Sequence, residues 1–377
     1  MIILNNIKIQ FNDLKPYFQK YRKSFHDGLN KLLDEGDYIL GKQVELLESK
    51  LSSYLNAKYT VALGSGTDAL ILALKFCGVK DTSNEVITTS MSYLASTSCI
   101  HLVGGKPVFV DIGNDLNMDP QLVEKAITTK TKAIIVVHLG GNPANIIEIK
   151  RIAKKYNIFL IEDSSQSIGA KYNNKMIGTF GDIGVFSLHP LKNLGALGDA
   201  GFICCNNKKI KSWFIKARNH GHTSRNNCTF WSMNSRLDTI QAIFLNYLLD
   251  DLSERISNRR AQAKIYNRFL KNNVKFPLIQ NKSFVSYNFI YIIVENRNNL
   301  IEYLKNQNIE VKIHYPIPIH KLNAAKKFKY KFVGSGNKLK NTDFYSRKIL
   351  SLPSGCHLNN KHIRYVCESI NKYYSYE

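Results

Sequence analysis

Short apolar runs alternate with helical patterns between residues 59 and 205, and this alternation constrains the fold more than any other feature of the sequence. The runs are four to six residues long, as buried strands are, and most segments between them repeat apolar residues at helical spacing. Strands joined in this way lie parallel in one sheet that has helices on both faces. The sequence therefore predicts an α/β fold, with strands at 59–63, 85–89, 107–110, 132–137, 158–161, 183–188 and 201–205 and helices at 69–76, 93–103, 120–126 and 144–156.

The pattern changes beyond about residue 240, where a long helix is followed by a mixture of shorter elements. We expect a large, mostly parallel-sheet domain over residues 1–240, and a connecting helix with a smaller α+β domain over 241–377. The segment 219–234 is expected to be irregular. The remaining expected elements are helices at 13–33, 43–54, 208–218, 234–271, 300–307 and 360–373, and strands at 287–294, 311–316 and 349–353.

Length and composition exclude several classes of protein. With 377 residues, of which 44% are hydrophobic, the chain can bury a substantial core, and no apolar run approaches the roughly 20 residues of a membrane helix. The first residues lack the basic and apolar regions of a signal peptide, and the seven cysteines are odd in number without a CxxC pair. His220 and His222 have the spacing of a metal-binding pair but no third ligand nearby in the sequence. We therefore expect a cytoplasmic protein with reduced thiols, no membrane partner and no metal site.

The net charge of +23 raises the question of a nucleic-acid partner. The lysines and arginines are spread along the chain, without a basic block of interleaved aromatic residues and without a nucleic-acid-binding motif. We therefore expect no nucleic-acid partner. An anionic small molecule, such as a nucleotide diphosphate, would suit the charge.

A glycine turn, Gly64-Ser-Gly66-Thr67-Asp-Ala69, joins the strand at 59–63 to the helix that follows it. Backbone N–H groups at the start of a helix bind phosphates, and Thr67 adds a hydroxyl donor. The turn also matches the loose dinucleotide pattern GxGxxG/A, with Glu85 about 20 residues further on. In that pattern the acid stands at the far end of a strand, whereas Glu85 begins one. An NAD(P)-dependent oxidoreductase built on this turn stays open as an alternative.

A single lysine, Lys192, stands in an apolar, glycine-rich loop after the strand at 183–188. The glycines Gly195, Gly198 and Gly201 let the backbone of this loop approach another group closely. Desolvation lowers the pKa of an amine and makes it a nucleophile toward carbonyl carbons, which favours a Schiff-base lysine. A lysine whose stem covers apolar surface while its ammonium reaches water would give the same pattern, and this alternative stays open.

Asp163 lies just after the strand at 158–161, in the sequence Glu162-Asp163-Ser-Ser-Gln166. Ligand sites of open parallel sheets lie at the carboxyl ends of the strands, so this carboxylate is placed to meet a ligand. A helix N-cap is the alternative role for an aspartate at such a position. We favour the ligand-binding role because the preceding strand is expected to be buried.

The order and spacing of these motifs resemble the DegT/DnrJ/EryC1/StrS family of sugar aminotransferases, which use pyridoxal 5′-phosphate (PLP). The resemblance extends over nearly the whole chain. The longer matches are Gly-Ser-Gly-Thr-Asp-Ala-Leu at 64–70, Ile-Glu-Asp-Ser-Ser-Gln at 161–166, His-Pro-Leu-Lys-Asn-Leu-Gly-Ala-Leu-Gly-Asp at 189–199 and Asn-Ser-Arg-Leu-Asp at 234–238. Shorter matches lie at 131–135, 138–139, 169–170, 181–182, 186–187, 219–221, 314–316 and 351–353.

The resemblance implies PLP-dependent aminotransferase fold type I and a homodimer whose subunits share their active sites. The implied catalytic residues are Lys192, which would form the Schiff base with PLP and move a proton, Asp163, which would pair with the ring nitrogen, and His189, near the sugar. The remaining implied site residues are Gly66, Thr67 and Ser187 at the phosphate, Tyr93 stacked on the ring, Gln166 near the ring hydroxyl, Asn234 reaching the phosphate from the other subunit, and His314 and Tyr315 near the sugar.

The implied activity moves an amino group from L-glutamate to a nucleotide-linked keto-hexose, giving an amino sugar for lipopolysaccharide, capsule or another glycan. Lysine rather than histidine at position 192 favours transamination over the related dehydratase branch. The segment Gly-Ala-Leu-Gly-Asp-Ala-Gly at 195–201 resembles the 3-keto subgroup more, so we favour C3 over C4 amination. At 138–142 the chain has His-Leu-Gly-Gly-Asn where the family often has His-Leu-Tyr-Gly-Gln, which leaves the substrate contacts there open.

Two other classes of function stay open beside the aminotransferase. An oxidoreductase built on the Gly64 turn would leave Lys192, Asp163 and Gln166 without roles. A non-catalytic PLP-binding regulator, or a basic nucleic-acid binder, would leave a complete catalytic set unused. We therefore expect PLP as the cofactor, with a nucleotide-linked keto sugar and L-glutamate as substrates.

Overall fold

A computed structural model describes residues 8–271 and 273–375 of the chain. Within these residues the helices are α1 Lys15–Glu35, α2 Lys42–Leu55, α3 Gly66–Phe76, α4 Ala95–Leu102, α5 Pro120–Ala126, α6 Ile146–Lys155, α7 Lys208–Ala217, α8 Thr239–Asp250, α9 Leu252–Phe269, α10 Arg297–Asn306, α11 Lys340–Lys348 and α12 Asn360–Ser375. Short 3₁₀ turns lie at Leu139–Gly141, Ile319–Lys321 and Ala325–Lys327.

The strands of the described residues fall in several sheets. They are β1 Tyr59–Leu63, β2 Glu85–Thr89, β3 Lys106–Val110, β4 Thr131–Val137, β5 Phe159–Asp163, β6 Lys171–Tyr172, β7 Lys175–Met176, β8 Ile183–Ser187, β9 Gly201–Cys205, β10 His222–Ser224, β11 Asn227–Cys228, β12 Val274–Lys275, β13 Ser283–Phe284, β14 Ile290–Val294, β15 Lys331–Val333 and β16 Ile349–Leu352.

Among the described residues, an eight-stranded sheet forms the centre of the molecule, in the order β1-β9-β8-β5-β4-β2-β3-β15. Strands β8, β5, β4, β2, β3 and β15 are parallel to one another, whereas β9 runs antiparallel to both β1 and β8. The predicted α/β class with a mostly parallel sheet is confirmed. The carboxyl ends of the parallel strands meet at one edge, where ligands bind in sheets of this kind.

Alternate residues of the strands enter two different apolar layers. Ile135 and Ile161 pack with α3, α4 and α7 on one face, whereas Ile134 and Leu160 pack with α5 and α6 on the other. This alternation fixes the directions of the next polar residues, because successive side chains of a strand point to opposite faces. Asp163 therefore shares the face of Ile161, toward α3 and α4.

Three expectations from the sequence are wrong. The segment 219–234, expected to be irregular, contains the antiparallel pair β10 and β11. The helix expected at 234–271 is two helices, α8 and α9, which meet at Asp251, where the carboxylate binds Lys20 and Tyr21 of α1. The strand expected at 311–316 does not form in the described residues, since only Lys312 makes a bridge, to Ser351. Proline at 316 has no N–H to donate to a ladder, and the two residues before it turn toward the cavity described below.

A second layer of structure is built from the C-terminal part of the chain. Strands β12, β14 and β16 form an antiparallel sheet whose apolar residues pack with α9, α10 and α12. Strand β15, which the sequence did not indicate, leaves this part and pairs in parallel with β3 at the edge of the central sheet. The division of the chain at residue 240 stays a prediction, and β15 is the element that crosses it.

Within residues 8–271 and 273–375, every helix is too short or too polar to cross a membrane. The expectation that a signal peptide is absent falls on residues 1–7, which lie outside the described part of the chain.

Candidate functional site

A cavity of about 270 Å³ lies at the carboxyl edge of the central sheet. Its wall contains ten of the eleven site residues named from the sequence, namely Gly66, Thr67, Tyr93, Asp163, Gln166, Ser187, His189, Lys192, His314 and Tyr315. They come from both the sheet-based part and the C-terminal part of the chain. The fold therefore brings together residues that the sequence spreads over about 250 positions.

Lys192 lies in the wall of this cavity, in the loop that follows β8. Its backbone N–H donates to the carbonyl oxygen of His189 over 2.8 Å, which closes a tight turn. Burial lowers the pKa of the Lys192 amine from 10.5 to about 8, and the carboxylate of Asp163 opposes this shift. A substantial fraction of the amine is therefore neutral near pH 8, which is the form that attacks a carbonyl carbon.

Asp163 is the last residue of β5 and is buried beside the cavity. Its Oδ2 accepts a hydrogen bond from the hydroxyl of Ser96 over 2.7 Å, and its Oδ1 accepts from the backbone N–H of Ser165 over 3.2 Å. The second bond closes a local turn of the kind that aspartate makes with the chain two residues further on. Asp163 does not cap a helix here, because a turn follows β5.

The glycine turn after β1 forms one end of the cavity. Ser65 caps helix α3 by accepting from the backbone N–H of Asp68, so the helix begins at Gly66, three residues earlier than expected. A Cβ at position 66 would lie 2.8 Å from the Cβ of Ser187, which is closer than real Cβ atoms approach. Glycine is therefore required for the helix start and Ser187 to lie against each other, and together they form a cradle suited to an anion.

Gln166 links two walls of the cavity through its side-chain amide. The amide oxygen accepts from the backbone N–H of Gly140 over 2.8 Å, and the amide nitrogen donates to the Tyr315 hydroxyl over 3.0 Å. Burial raises the pKa of the Tyr315 hydroxyl well above its ordinary value, so this phenol is protonated at neutral pH. The half-exposed ring of Tyr93 lies 6.1 Å from the ring of Tyr315, between centroids.

His314 presents an uncharged imidazole to the cavity. Its ring stacks on Phe289 with 3.9 Å between centroids, and its Nδ1 lies 2.9 Å from the Ser351 hydroxyl. Burial, together with the positive charges of Lys192 and Lys312, lowers the pKa of His314 to about 4. This wall is therefore aromatic and neutral at physiological pH.

His189 lies at the more exposed side of the same cavity. Its Nδ1 accepts from the backbone N–H of Leu191 over 3.2 Å, which leaves Nε2 for other contacts. Desolvation and the charge of Lys192 lower the pKa of His189. An exposed carboxylate, Asp199, lines the cavity as well and was not named from the sequence.

Asn234 is the site residue that does not line the cavity. It is exposed, and its side-chain oxygen accepts from Nε of Arg236 over 2.9 Å. In the part of the chain described here, the structure does not bring Asn234 together with the other ten residues. An amide that reaches a site in a second subunit would have such a position.

Two contacts at the site were missed in the sequence. Ser96 in the first turn of α4 binds Asp163, although nothing in its local sequence marked it. Asn193, next to Lys192, donates its backbone N–H to Oδ1 of Asn288 over 3.2 Å and its side-chain amide to the Ser286 carbonyl over 2.9 Å. These bonds tie the lysine loop to the segment that leads into β14. No local sequence pattern indicates these contacts.

The departure at 138–142 also has a structural account. Gly140 has a left-handed conformation with φ of +63°, and a Cβ there would lie 2.3 Å from Cε2 of Tyr291. The buried ring of Tyr291, from β14, thus occupies the space beside this loop. A side chain at position 140 would therefore collide with a ring from the C-terminal part of the chain.

In this structure, the acidic residue that the dinucleotide-binding alternative requires does not lie near the glycine turn. Glu85 is the first residue of β2, at the end of the sheet opposite the cavity, and its carboxylate accepts from the Thr128 hydroxyl over 2.6 Å. A ribose at the glycine turn would therefore not meet this carboxylate.

His220 and His222 lie side by side near β10, and no cluster of three or more metal-ligating side chains is found in the described residues.

The cavity fits PLP. The phosphate of PLP would meet the cradle of Gly66, Thr67 and Ser187. The carboxylate of Asp163 suits the protonated nitrogen of the PLP ring. The amine of Lys192 suits an aldehyde. A Cβ at position 66 would collide with Ser187, so glycine at this position keeps the two sides of the cradle together.

The sequence pattern described as the DegT/DnrJ/EryC1/StrS aminotransferase family matches residues 19–371. A UDP-2-acetamido-2-deoxy-3-oxo-D-glucuronate aminotransferase of Pseudomonas aeruginosa is 35% identical over 96% of this chain and 99% of its own length. A dTDP-3-amino-3,6-dideoxy-alpha-D-galactopyranose transaminase of Aneurinibacillus thermoaerophilus is 36% identical over 97% of this chain and 99% of its own. A Geobacillus stearothermophilus protein named pleiotropic regulatory protein is 34% identical over 96% and 97%.

Solved structures show the same similarity in three dimensions. The S. venezuelae DesV structure, in complex with a ketimine intermediate, superposes with a TM-score of 0.92 at 30% identity, over 97% of this chain and 98% of that chain. A Bacillus subtilis protein solved with bound PMP superposes with a TM-score of 0.89 at 27% identity, over 98% of this chain and 86% of that chain.

Proposed function

This chain belongs to the DegT/DnrJ/EryC1/StrS aminotransferase family, whose members depend on PLP, and on that premise we propose that it moves an amino group from L-glutamate to a nucleotide-linked keto-hexose. The observation that carries the proposal is the presence of Lys192 and Asp163 in one cavity, beside a helix N-terminus. Bound PLP would supply an electrophilic carbon and an electron-withdrawing ring.

The residues of the cavity have different roles in such a site. Lys192 supplies an amine that is part neutral near pH 8, able first to bind a carbonyl carbon and later to hold or release a proton at Nζ. The carboxylate of Asp163 would pair with a protonated ring nitrogen of bound PLP. Gln166 and Tyr315, joined by their hydrogen bond, present polar groups between these residues and the neutral His314 wall.

We favour a 3-keto sugar as the amino acceptor. The names of the P. aeruginosa and A. thermoaerophilus relatives refer to a 3-oxo and a 3-amino sugar. This agrees with the resemblance of the loop 195–201 to the 3-keto subgroup of the family. The aromatic, uncharged wall of Phe289 and His314 suits a hexose ring, and the net charge of +23 suits a diphosphate. An amino sugar of lipopolysaccharide or another surface glycan is the product class that we propose.

We further propose a homodimer with shared sites, in the cytoplasm. Asn234 is exposed and outside its own cavity, as expected for a residue that completes the site of a second copy. Trp231, three residues before Asn234 in the sequence, is 91% exposed, and a second subunit would cover such a side chain. Cys228 is exposed and not part of a disulfide, which suits the cytoplasm.

Visible absorption of the purified protein with PLP tests the first half of the reaction. We expect a band of lysine-bound PLP that L-glutamate bleaches, no such band in Lys192→Ala, and a normal band in the surface variant Lys58→Ala. A nucleotide-linked 3-keto hexose should then restore the band faster than its 4-keto isomer. A wild type without the band, but with tight binding of a reduced nicotinamide cofactor, would return the oxidoreductase to first place.

Mixed subunits test the shared site. Lys192→Ala and Asn234→Ala chains, each of low activity alone, should regain part of the activity when they are dissociated and reassembled together, because one site of the mixed dimer is then intact. A mixture that stays as inactive as its components would contradict a contribution of Asn234 across subunits.

Binding of PLP without turnover of any keto sugar would favour the regulatory alternative.

A further inference from the structure

A buried hydroxyl holds the carboxylate that the proposed function assigns to the cofactor ring. Ser96 is 1% exposed and lies in the first turn of α4, where its Oγ is 2.7 Å from Oδ2 of Asp163. The pairing joins two elements that are 67 residues apart in the chain. Since β5 directs Asp163 toward the face that α4 covers, the two side chains meet because of the sheet topology.

The chemistry of the two groups defines the direction of this hydrogen bond. An ionised carboxylate only accepts, so Ser96 must use its single proton toward Asp163. The hydroxyl of Ser92 lies 2.9 Å from Oγ of Ser96, and Ser92 is therefore the donor in that pair. Ser92 also lines the cavity, so a chain of donors extends from Ser92 through Ser96 to Asp163. Each bond in such a chain polarises the next and strengthens it.

The two oxygens of Asp163 are thus held by different groups. Oδ2 accepts from Ser96, and Oδ1 accepts from the backbone N–H of Ser165. These two bonds fix the plane of the carboxylate while the group stays in the cavity wall, and the remaining lone pairs are the ones available to a ligand. Without the Ser96 bond, only the longer bond of 3.2 Å to the backbone would restrain the rotation of the carboxylate.

We propose that Ser96 is a positioning residue for Asp163, whose hydrogen bond keeps the carboxylate in the orientation that pairs with the ring nitrogen of PLP. The proposal rests on the proposed function, because it assigns a role toward the same cofactor. Ser96 itself is at the back of Asp163 and acts only through it. Hydrogen bonds to charged groups are among the stronger ones in proteins, so its removal has a measurable effect.

Binding of PLP to the full-length protein tests the proposal without reference to turnover. In Ser96→Ala we expect the dissociation constant for PLP to rise roughly tenfold, as for the loss of one hydrogen bond to a charged group. Ser96→Thr keeps the hydroxyl and should restore binding to within about threefold of the wild type. Equilibrium dialysis with PLP measures all three proteins.

The neighbouring Thr97 supplies a matched control. It is 2% exposed and lies in the same helical turn, but its hydroxyl has no hydrogen-bond partner among the described residues. Thr97→Val should therefore leave the dissociation constant for PLP unchanged. A loss of PLP binding in Thr97→Val equal to that in Ser96→Ala would show that any change in this turn has the effect, and would overturn the specific role of Ser96.

A spectroscopic measurement separates positioning from simple support of the fold. A ring nitrogen that is paired less firmly withdraws fewer electrons, so the pH midpoint of the absorbance change of bound PLP should rise by about half a unit in Ser96→Ala. A merely structural serine would lower the thermal midpoint of the protein and leave the pH midpoint where it is. That pattern would overturn the proposal.

The remaining outcomes distinguish this inference from the proposed function. A wild type that does not bind PLP overturns both. A wild type that binds PLP, with the same affinity and pH midpoint in Ser96→Ala, overturns the inference alone. Should Ser96→Ala fail to fold, Ser92→Ala removes the first donor of the chain, and we expect a weakening of PLP binding of about threefold. Unchanged binding in Ser92→Ala would then count against the donor chain.

Discussion

Replacement of Lys192 by methionine should make the cofactor-free protein more stable at neutral pH. Methionine fills a similar volume without a charge. Burial lowers the pKa of the Lys192 amine from 10.5 to about 8. One pKa unit corresponds to about 1.4 kcal/mol, so at pH 7, where the amine is protonated in both states, its charge costs the folded state about 3 kcal/mol.

The pH dependence of this gain is a stricter test than its size. The unfolded chain holds the proton up to pH 10.5, whereas the folded chain releases it at about pH 8. Between these values the unfolded state binds more protons, so the stability of the wild type rises with pH and the penalty disappears above about pH 10.5. We therefore expect the excess stability of Lys192→Met to fall by about 2 kcal/mol between pH 7 and pH 10.

Urea unfolding of both proteins at one protein concentration, without PLP, measures this difference. At each pH, the free energy of unfolding of the wild type is subtracted from that of Lys192→Met. This removes the contributions of cysteines and tyrosines, which both proteins share. Lys58→Met, at an exposed position, controls for the loss of a surface charge. Unfolding free energies of wild type and Lys192→Met that change in parallel from pH 7 to pH 10 would refute the desolvation argument, whatever their absolute values.

Four further changes test other contacts. Gly66→Ala places a Cβ 2.8 Å from that of Ser187, and we expect PLP to bind at least roughly tenfold more weakly by equilibrium dialysis; wild-type affinity would contradict the cradle. Asn288→Ala removes the acceptor of the Asn193 N–H, and we expect the rate of bleaching by L-glutamate in a stopped-flow instrument to fall about tenfold. An unchanged rate would mean that the lysine loop does not depend on this bond. Glu162→Gln replaces a buried carboxylate that accepts from three backbone N–H groups, of Gly178, Phe180 and Gly181, and should lower the free energy of unfolding by about 2–3 kcal/mol. A thermal midpoint equal to that of the wild type would contradict it. Because the pKa of His314 is about 4, the KM for the sugar should have the same pH profile from pH 5 to 8 in wild type and His314→Gln. An inflection near pH 6.5 in the wild type alone would contradict a neutral imidazole.

The sequence predicted the parts of the fold that depend on local patterns. The strand before Asp163 is a short apolar run, and the rule that ligands meet the carboxyl ends of parallel strands placed its carboxylate in the cavity. Lys192 could be singled out because an ammonium in an apolar loop is unusual. The start of α3 was expected three residues late, since the capping bond of Ser65 is made only in the folded turn.

The contacts that could not be predicted join residues far apart in the chain. Ser96 and Asp163 are 67 residues apart, and Asn193 and Asn288 are 95 apart. No local pattern records which of many serines and asparagines will meet a given partner. The break between α8 and α9 was missed for a related reason, because Asp251 ends one helix by contacts with α1 rather than by a local stop signal.

The close approach of Gly140 and Tyr291 makes two distant positions depend on each other during evolution and engineering. A loop with an aromatic residue at position 140 cannot be grafted into this protein while Tyr291 is present, because their atoms would occupy the same space. The graft becomes possible when Tyr291 is trimmed at the same time. Positions 140 and 291 should therefore co-vary among the relatives of this chain, with glycine at one accompanied by a large ring at the other.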